Sequence, residues 1–291
     1  MEMNMRKIML SMYKKAFKIL RGHGIEKFYP AKVISRFIFS HLKPSFVEVQ
    51  GHKMFIDSKS SLRLLILGAY EPFETELVQK EIKRGDVVLD IGANIGYYTL
   101  IFAKLVGEEG KVFAFEPDPT NFSLLKKNVE INGYKNVELV QKAVSNKTGK
   151  IKLYLSRYNN VCHCIYNSHD GRQSIEVETI RLDDYFKNYN GEVDFIKMDI
   201  EGAEGEAIQG MFNLLKKNNN VKIITEFLPI GLKSSSINPE KYLKLLIELG
   251  FKLYEINERE KKIKPVNIPK LLEMYSPEKG IYTNLLCLRE K

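Results

Sequence analysis

The spacing of apolar and polar residues divides this chain into a helical beginning and an alternating body. Between residues 5 and 20 the apolar positions recur every three or four residues with basic side chains between them, which predicts an amphipathic helix. A second apolar and basic stretch covers 31–42, and a hairpin is expected over roughly 45–57. The next segment, 61–86, predicts two helical pieces that close at the turn around Gly85.

Short strand-like runs alternate with helical runs from Val87 onward. Such alternation predicts a mostly parallel sheet whose strands are connected by crossover helices. One helix has clear ends, with Asp118 as its cap, Pro119 in its first turn and Gly133 at its exit. The strands are expected at 87–91, 111–115, 137–141, 194–199, 221–226, 251–256 and 283–289.

Two regions interrupt this alternation. Residues 150–182 predict an additional pair of strands around a polar loop, which we expect near the substrate site. Residues 257–282 show no full crossover helix, so the last two strands are expected to pair antiparallel.

Charge is concentrated at the beginning of the chain. The formal net charge is +9; residues 1–50 hold ten basic and three acidic side chains, whereas the remaining 241 residues hold 35 and 33. The body is therefore close to neutral, which disfavours a nucleic-acid-wrapping surface on it. Three cysteines, no recognisable secretory leader and no apolar run of about 18 residues favour a cytoplasmic protein without a membrane span.

The loop after the first strand of the body carries the first chemical signal. It lies in VVLDIGANIGYYTLIFAK, where Gly92 and Gly96 allow a tight turn at a helix N-terminus, whose N–H groups favour an anion. Asp90 beside them would repel a pyrophosphate. S-adenosylmethionine (SAM) has no phosphate: its carboxylate suits the helix end, its ammonium and sulfonium suit the acid, and the Asn94 amide can bond it. The alternative is that Asp90 only caps the turn.

A second acid follows at the end of the next strand. Glu116 lies about 20–25 residues beyond the glycines, where its two oxygens can accept both ribose hydroxyls of an adenosine. Asn121 is a candidate cofactor contact, and Ala143 marks where the adenine edge would lie in a doubly wound sheet. Alone, Glu116 would be an ordinary helix cap; together with the glycine loop it predicts an adenosine site.

A third group of acids follows the strand in FIKMDIEGAE. Asp199, Glu201 and Glu204 come at its end and Glu226 ends the next strand, so all four are expected at one edge of the sheet. Neighbouring carboxylates raise one another's pKa, as a general base requires. Glu201 could instead cap a helix. Four carboxylates are also potential ligands for Mg²⁺, but their spacing matches no dedicated metal motif, so no metal is predicted.

In this order the motifs resemble the FkbM family of SAM-dependent methyltransferases. The resemblance is carried by GDVVLDIGANIGYYTLIFAK, GKVFAFEPDPTNFSLLKKNVEING, TIRLDDY and DFIKMDIEGAE, and it covers about residues 66–230. It implies an α/β fold of the class I, Rossmann-like methyltransferase type: a seven-stranded, mostly parallel sheet with helices on both faces and its last strand antiparallel. It also implies O-methylation of a hydroxyl on a sugar, a glycan or a natural product.

The resemblance assigns roles to single residues as well. The cofactor loop falls on Gly92, Ala93, Asn94 and Gly96, with Asp90 before it and Glu116 as the ribose acid. The family's acidic motif falls on Asp199, Glu201 and Glu204. Our hypothesis for in-line methyl transfer gives the role of base to Asp199 or Glu201, while Glu204, Glu226 and the loop 157–172 shape the acceptor site.

The first 50 residues lie outside the resemblance and leave alternatives open. We divide the chain into a basic, mainly helical extension, 1–60, and a methyltransferase domain, 61–291. The helix at 5–21 suits a weak, peripheral membrane contact for an enzyme of lipid-linked glycans, but its apolar face could equally pack on the domain, form a lid or form a homodimer contact. A nucleic-acid methyltransferase that grips its substrate with this segment is disfavoured, because the chain reads DIEGA where such enzymes carry Asn/Asp-Pro-Pro-aromatic.

Overall fold

The structure is a computed structural model that describes residues 46–56, 64, 68–156, 162–167 and 170–289. The N-terminal stretches 5–20 and 31–42 that the sequence predicts as helical lie outside these residues, as does most of the first helical piece of 61–86. The chain divides into two compact units, Met1–Tyr70 and Glu71–Lys291, whereas the sequence placed the boundary after residue 60.

The first unit contains a hairpin. Strands β1 (Val47–Val49) and β2 (His52–Met54) pair antiparallel, with Val49 opposite His52. Gln50 and Gly51 connect them with φ angles of 53° and 79°, the left-handed backbone that a two-residue hairpin turn needs. The hairpin predicted over 45–57 is therefore confirmed.

The second unit is built around a large sheet, in which the described residues form eight strands. These are β3 (Val87–Ile91), β4 (Lys111–Phe115), β5 (Val137–Val140), β9 (Phe195–Met198), β10 (Lys222–Phe227), β11 (Phe251–Asn257), β12 (Lys262–Pro265) and β13 (Thr283–Arg289). Their order across the sheet is β12-β11-β13-β10-β9-β3-β4-β5. Strands β10, β9, β3, β4 and β5 run parallel to one another, whereas β13 is antiparallel to both β10 and β11. All seven predicted strands are confirmed, and so is the antiparallel pairing of the last two.

The number of strands differs from the seven that the resemblance implied. The eighth, β12, pairs antiparallel with β11 at the edge of the sheet. It has only four residues, and three of them are exposed. Because an exposed edge strand buries no apolar face, its sequence carries no hydrophobic pattern that would have predicted it.

Helices follow most of the strands. They are α1 (Pro72–Glu81), α2 (Tyr97–Val106), α3 (Pro119–Ile131), α4 (Leu182–Tyr185), α5 (Glu204–Gly210), α6 (Phe212–Lys217), α7 (Pro229–Ser234), α8 (Pro239–Glu248) and α9 (Ile268–Met274). The predicted cap of α3 is confirmed, because the Asp118 side chain accepts a hydrogen bond from the N–H of Asn121, and Asn238 caps α8 in the same way. The short helix α9, capped by Asn267, was not predicted. None of the helices seen here has the length and apolar composition needed to cross a membrane.

The strand order reverses direction between β3 and β9. From β3 the chain moves outward to β4 and β5, and from β9 it moves to β10 on the opposite side. Because crossovers between parallel strands are right-handed, the helices of the two halves lie on opposite faces of the sheet. In such doubly wound sheets, ligands bind beyond the carboxyl ends of the strands at this reversal.

A smaller sheet lies in the region that the sequence set apart. Strands β7 (Gly149–Tyr154) and β8 (Ser174–Ile180) pair antiparallel and confirm the strand pair expected within 150–182. A third strand, β6 (Ala143–Val144), pairs parallel with β8. Ala143, Leu153 and Val177 form a small core of its own for this sheet.

Candidate active site

A cleft opens at the reversal point of the large sheet. It encloses about 580 Å³ when the solvent space of its open mouth is included. One wall comes from residues that end β3, β4 and β9, and another from β6, β7 and residues 163–165. Of the twelve site residues predicted from the sequence, seven line this cleft: Gly92, Asn94, Glu116, Asn121, Ala143, Asp199 and Glu201.

The glycine loop connects β3 to α2 and is tied to the neighbouring strand. The N–H groups of Gly92 and Ala93 both donate to the carbonyl of Phe115, each at 3.0 Å, and the N–H of Gly96 donates to the Ala93 carbonyl at 2.8 Å. The N–H of Asn94 donates to Glu116 Oε2 at 2.8 Å. These four N–H groups are therefore used within the protein. The sequence suggested that the loop would bind an anion of the cofactor, but in the structure the loop instead holds the Glu116 carboxylate in place.

Gly92 is required by the packing of the protein itself. Its φ is +85°, and a Cβ atom built on it would lie 2.1 Å from the backbone carbonyl oxygen of Asp199. The loop thus touches the backbone of the strand that carries the catalytic candidates. The glycine sets the distance between the cofactor loop and the acids of β9.

Gly92→Ala is expected to lower the free energy of unfolding by at least about 2 kcal/mol, because the cost of the left-handed backbone and the cost of the collision with Asp199 add up. Gly133→Ala is the matched control: its φ is +73°, but nothing lies within 4 Å of an added Cβ. In this control the free energy of unfolding should fall by only about 1–2 kcal/mol, the cost of the left-handed backbone alone. Urea denaturation of both variants measures the difference, and equal losses would show that the contact with Asp199 carries no strain.

Asp90 lies behind the loop and does not line the cleft. It is 2% exposed and accepts a hydrogen bond of 2.5 Å from the Thr99 hydroxyl at the start of α2. Burial raises the pKa of Asp90 to about 6. Ala93 and Gly96, which belong to the loop itself, also lie outside the cleft lining.

Glu116 is the buried acid of the cofactor half. It is 5% exposed; its Oε1 accepts the N–H of Asp118 at 2.8 Å, while Oε2 accepts the N–H of Asn94. Burial raises the pKa of Glu116 to about 8, although both hydrogen bonds favour the charged form. Each oxygen keeps one further lone pair, which suits the two hydroxyls of a ribose.

Sequence reasoning missed two residues of this half. Pro117 and Lys142 line the cleft, and Lys142 pairs with Glu178 of β8 at 2.8 Å. Both follow within two residues of the ends of β4 and β5, at the carboxyl edge of the sheet. That position was the signal that could have found them.

The acids of the other half are brought together as predicted, with one exception. Asp199 and Glu201 line the cleft, and one oxygen of each lies within 4.8 Å of an oxygen of Glu226. Burial, followed by the charge of Asp199, raises the pKa of Glu201 to about 8 and holds that of Glu226 well above its usual range. Like Glu226, Glu204 lies outside the cleft lining, and it differs from the other three because its carboxylate accepts the N–H of Ile200 at 3.0 Å instead of joining their cluster. It holds the turn that presents Asp199 and Glu201.

A buried charge network lies behind Asp199. Lys197 is 1% exposed and its Nζ lies 3.4 Å from Asp199 Oδ2 and 3.3 Å from Glu74 Oε1. Asn284 of β13 donates to both Glu74 and Glu71, at 2.5 and 2.9 Å. Burial acts to lower the pKa of Lys197, but the surrounding carboxylates outweigh it and hold that pKa well above its usual value. The network fixes a positive charge beside Asp199 and orients its carboxylate.

The raised pKa values predict that the ligand-free protein loses stability as pH rises. Asp90 and Glu116 titrate near 3.8 and 4.5 when unfolded but near 6 and 8 when folded. Below the unfolded values both states are protonated, so the full stability is present. Above them the unfolded chain releases protons that the folded protein keeps, and stability falls until the folded values are passed.

We therefore expect the melting temperature to fall by at least about 5 °C between roughly pH 5 and pH 8.5. Differential scanning fluorimetry across this range measures it. Glu116→Gln removes the acid whose folded and unfolded pKa values differ more, so the melting temperature of this variant should decrease less over the same pH range. A melting temperature that rises over the same range would contradict the burial of these acids.

Comparison with known proteins identifies methyltransferases among the relatives of this chain. The model of the methyltransferase FkbM domain matches residues 90–253. Hexuronic acid methyltransferase AglP of Haloferax volcanii is 30% identical over 190 residues, 63% of this chain and 72% of that protein. Methyltransferase 1 of Beauveria bassiana is 26% identical over 169 residues, 47% of this chain and 68% of that protein. Aeropyrum pernix fibrillarin, solved with bound SAM, aligns at 11% identity with a TM-score of 0.43, over 75% of this chain and 74% of its own.

The cleft and these matches define the class of protein: it is a SAM-dependent methyltransferase. Because the family match spans more than half of the chain, the chain belongs to the FkbM methyltransferase family. The resemblance found in the sequence is thereby confirmed.

Proposed function

We propose that this enzyme transfers the methyl group of SAM to a hydroxyl group of a sugar, a glycan or a natural product. The observation that carries the proposal is the pairing of two chemistries in one cleft. Glu116 offers a ribose-binding carboxylate at the end of β4, and Asp199 and Glu201 offer carboxylates beyond the end of β9. Only β3 lies between these strands, so the two ends are separated by two strand spacings, about 10 Å. A ribose and its attached sulfonium can cover that span.

The acceptor side has the mixed character that a sugar needs. Leu153 and Ile165 give an apolar wall, and His163 and Asp199 give polar groups on the same cleft. Sugars bind with apolar ring faces against such walls while their hydroxyls meet fixed polar groups. The relative AglP is named for a hexuronic acid, and this name supports a sugar acceptor here.

A carboxylate is the best candidate for the base. His163 Nδ1 accepts the N–H of Ser156 at 2.9 Å, so the neutral ring carries its proton on Nε2 and is not placed to receive another. Asp199 has a side chain that is 36% exposed and fixed by Lys197, which leaves an oxygen for the acceptor. Asp199 is therefore our first choice, and Glu201 the second.

The reaction is an in-line displacement. The acceptor oxygen loses its proton to the carboxylate and bonds to the methyl carbon, while the carbon–sulfur bond breaks and its electron pair stays on sulfur, giving S-adenosylhomocysteine. The rate depends mainly on the alignment of oxygen, carbon and sulfur. The close contact of Gly92 with the Asp199 backbone fixes the two sides of that alignment relative to each other.

A transfer assay with methyl-labelled SAM tests the proposal. The enzyme is incubated with sugar-containing extracts and with defined sugars, including uronic acids, and the labelled product is treated with alkali. A methyl ether survives alkali, as transfer to a hydroxyl predicts. Label that alkali releases would show a methyl ester instead, and would contradict the hydroxyl acceptor while leaving the methyltransferase class intact.

A further inference from the structure

We propose that Asp199, Glu201 and Glu226 form a binding site for a hard divalent cation, Mg²⁺ or Mn²⁺. One oxygen from each carboxylate lies within 4.8 Å of the other two. Oxygens around Mg²⁺ at about 2.1 Å lie roughly 3–4.2 Å apart, so small side-chain rotations complete the set. Carboxylate oxygens are also the ligands that these cations prefer.

The buried end of Glu226 points to a missing partner. Glu226 is 5% exposed, and among the residues that the structure describes its Oε2 has no hydrogen-bond partner. A buried polar atom without a partner costs free energy, and native structures rarely keep one without a ligand, ion or water. The same carboxylate contributes an oxygen to the cluster, and a cation there supplies what Oε2 lacks.

The charges around the cluster leave room for a cation. Lys197 faces Asp199, but it shares its single charge with Glu74. Arg172 acts on Glu201 from the loop side, yet its guanidinium is bonded to Asp170 at 2.6 Å. Glu204 adds a fourth carboxylate nearby. Negative groups therefore outnumber the positive charges that reach them.

The backbone presents the ligands as a unit. Asp199 and Glu201 follow β9, and Glu226 lies near the end of the adjacent parallel strand β10. Glu201 holds a left-handed φ of 55°, which is uncommon for a non-glycine residue. The Glu204 carboxylate fixes this turn through the N–H of Ile200. The sequence predicted no metal because the spacing is irregular; the ligands converge only through the pairing of two strands.

The role that we assign to the cation rests on the proposed function. A cation held by these three carboxylates would bind the acceptor oxygen and lower the pKa of its hydroxyl. The proton would pass to the oxygen of Asp199 or Glu201 that does not bind the cation, and the electron pair of the broken carbon–sulfur bond would stay on sulfur. The cation also neutralises the acids that the fold brings together.

Titration of the full chain with Mn²⁺ under electron paramagnetic resonance tests the site without SAM or acceptor. The unchanged protein should remove one equivalent of Mn²⁺ from solution, and Mg²⁺ should displace it. Glu226→Gln should bind Mn²⁺ at least about tenfold more weakly. Glu255→Gln, a buried acid on β11 that bonds Tyr275, is the matched control and should bind as the unchanged protein does.

Weak binding with no saturation, or equal binding by Glu226→Gln, would overturn the proposal. Melting temperatures show whether each variant is folded, and Glu201→Gln, whose side chain is less buried, replaces Glu226→Gln if that variant does not fold. Two further outcomes separate this site from the proposed function. Full methyl transfer in the presence of EDTA overturns the cation and keeps the O-methyltransferase. Saturable Mn²⁺ binding without transfer to any hydroxyl supports the cation and overturns the acceptor.

Discussion

Asp199→Asn is expected to transfer methyl groups at least about a hundredfold more slowly than the unchanged enzyme, with SAM affinity changed by less than about threefold. The asparagine amide keeps the size of the side chain but cannot take a proton from the acceptor hydroxyl. Asp199 lines the cleft beyond the end of β9, whereas Glu116, the proposed ribose acid, follows β4, two strands away. Single-turnover methyl transfer and calorimetry with S-adenosylhomocysteine separate the two effects.

The matched control for this variant is Asp183→Asn. Asp183 accepts N–H bonds from Asn213 and Leu214 and lies outside the cleft lining, so its loss affects folding rather than transfer. Rates normalised to folded protein should stay within about twofold for the control. Full activity of Asp199→Asn would refute its role as base and shift that role to Glu201.

Glu116→Gln is expected to weaken the binding of SAM and of S-adenosylhomocysteine by about 10- to 100-fold. The carboxylate now accepts two backbone N–H bonds, and the ribose would add two more. A glutamine has one accepting oxygen, and its NH₂ group would face an N–H donor. Losing charged hydrogen bonds costs about 1.5–3 kcal/mol each, which is the basis of the expected range.

Calorimetry with S-adenosylhomocysteine measures this second effect directly. Glu138→Gln is a suitable control, because Glu138 lies on the neighbouring strand β5 and pairs with Lys111 outside the cleft. An unchanged affinity in Glu116→Gln would mean that the ribose binds elsewhere. The adenosine site would then have to be sought outside this cleft.

Much of the fold was predictable because the parallel strands are buried on both faces. Strands such as β3 and β9 are mostly apolar, with one charged residue each, Asp90 and Lys197, and are followed by Gly or acidic residues, a pattern that has few alternative interpretations. The order of strands and helices then restricts the topology, and the topology places Glu116 and Asp199 at one edge. The convergence of the two acids on one cleft thus followed from local patterns.

The remaining features depend on contacts between distant segments. Glu74 of α1 is completely buried, where it pairs with Lys197 of β9 and accepts a hydrogen bond from Asn284 of β13. In the sequence it is an ordinary acid in the first turn of a helix. Glu204 was misplaced for a local reason: it was expected in the cleft, but its carboxylate accepts the N–H of Ile200 in its own turn.

The glycine loop shows how a correct motif can carry an incomplete physical reason. The glycines were expected to leave N–H groups for an anion, but Gly92 and Ala93 donate to Phe115, and Asn94 donates to Glu116. The loop therefore acts through the acid that it orders. Sequence spacing pointed to residues of which several line the cleft, and the structure shows which of their N–H groups are already used within the protein.

A crystal structure of the enzyme with S-adenosylhomocysteine tests the central claim most directly. We predict that both ribose hydroxyls donate to Glu116, that the adenine lies beside Ala143, and that the sulfur lies in the cleft and faces Asp199. Binding outside the cleft, or a reversed ligand with its adenine at Asp199, would contradict it.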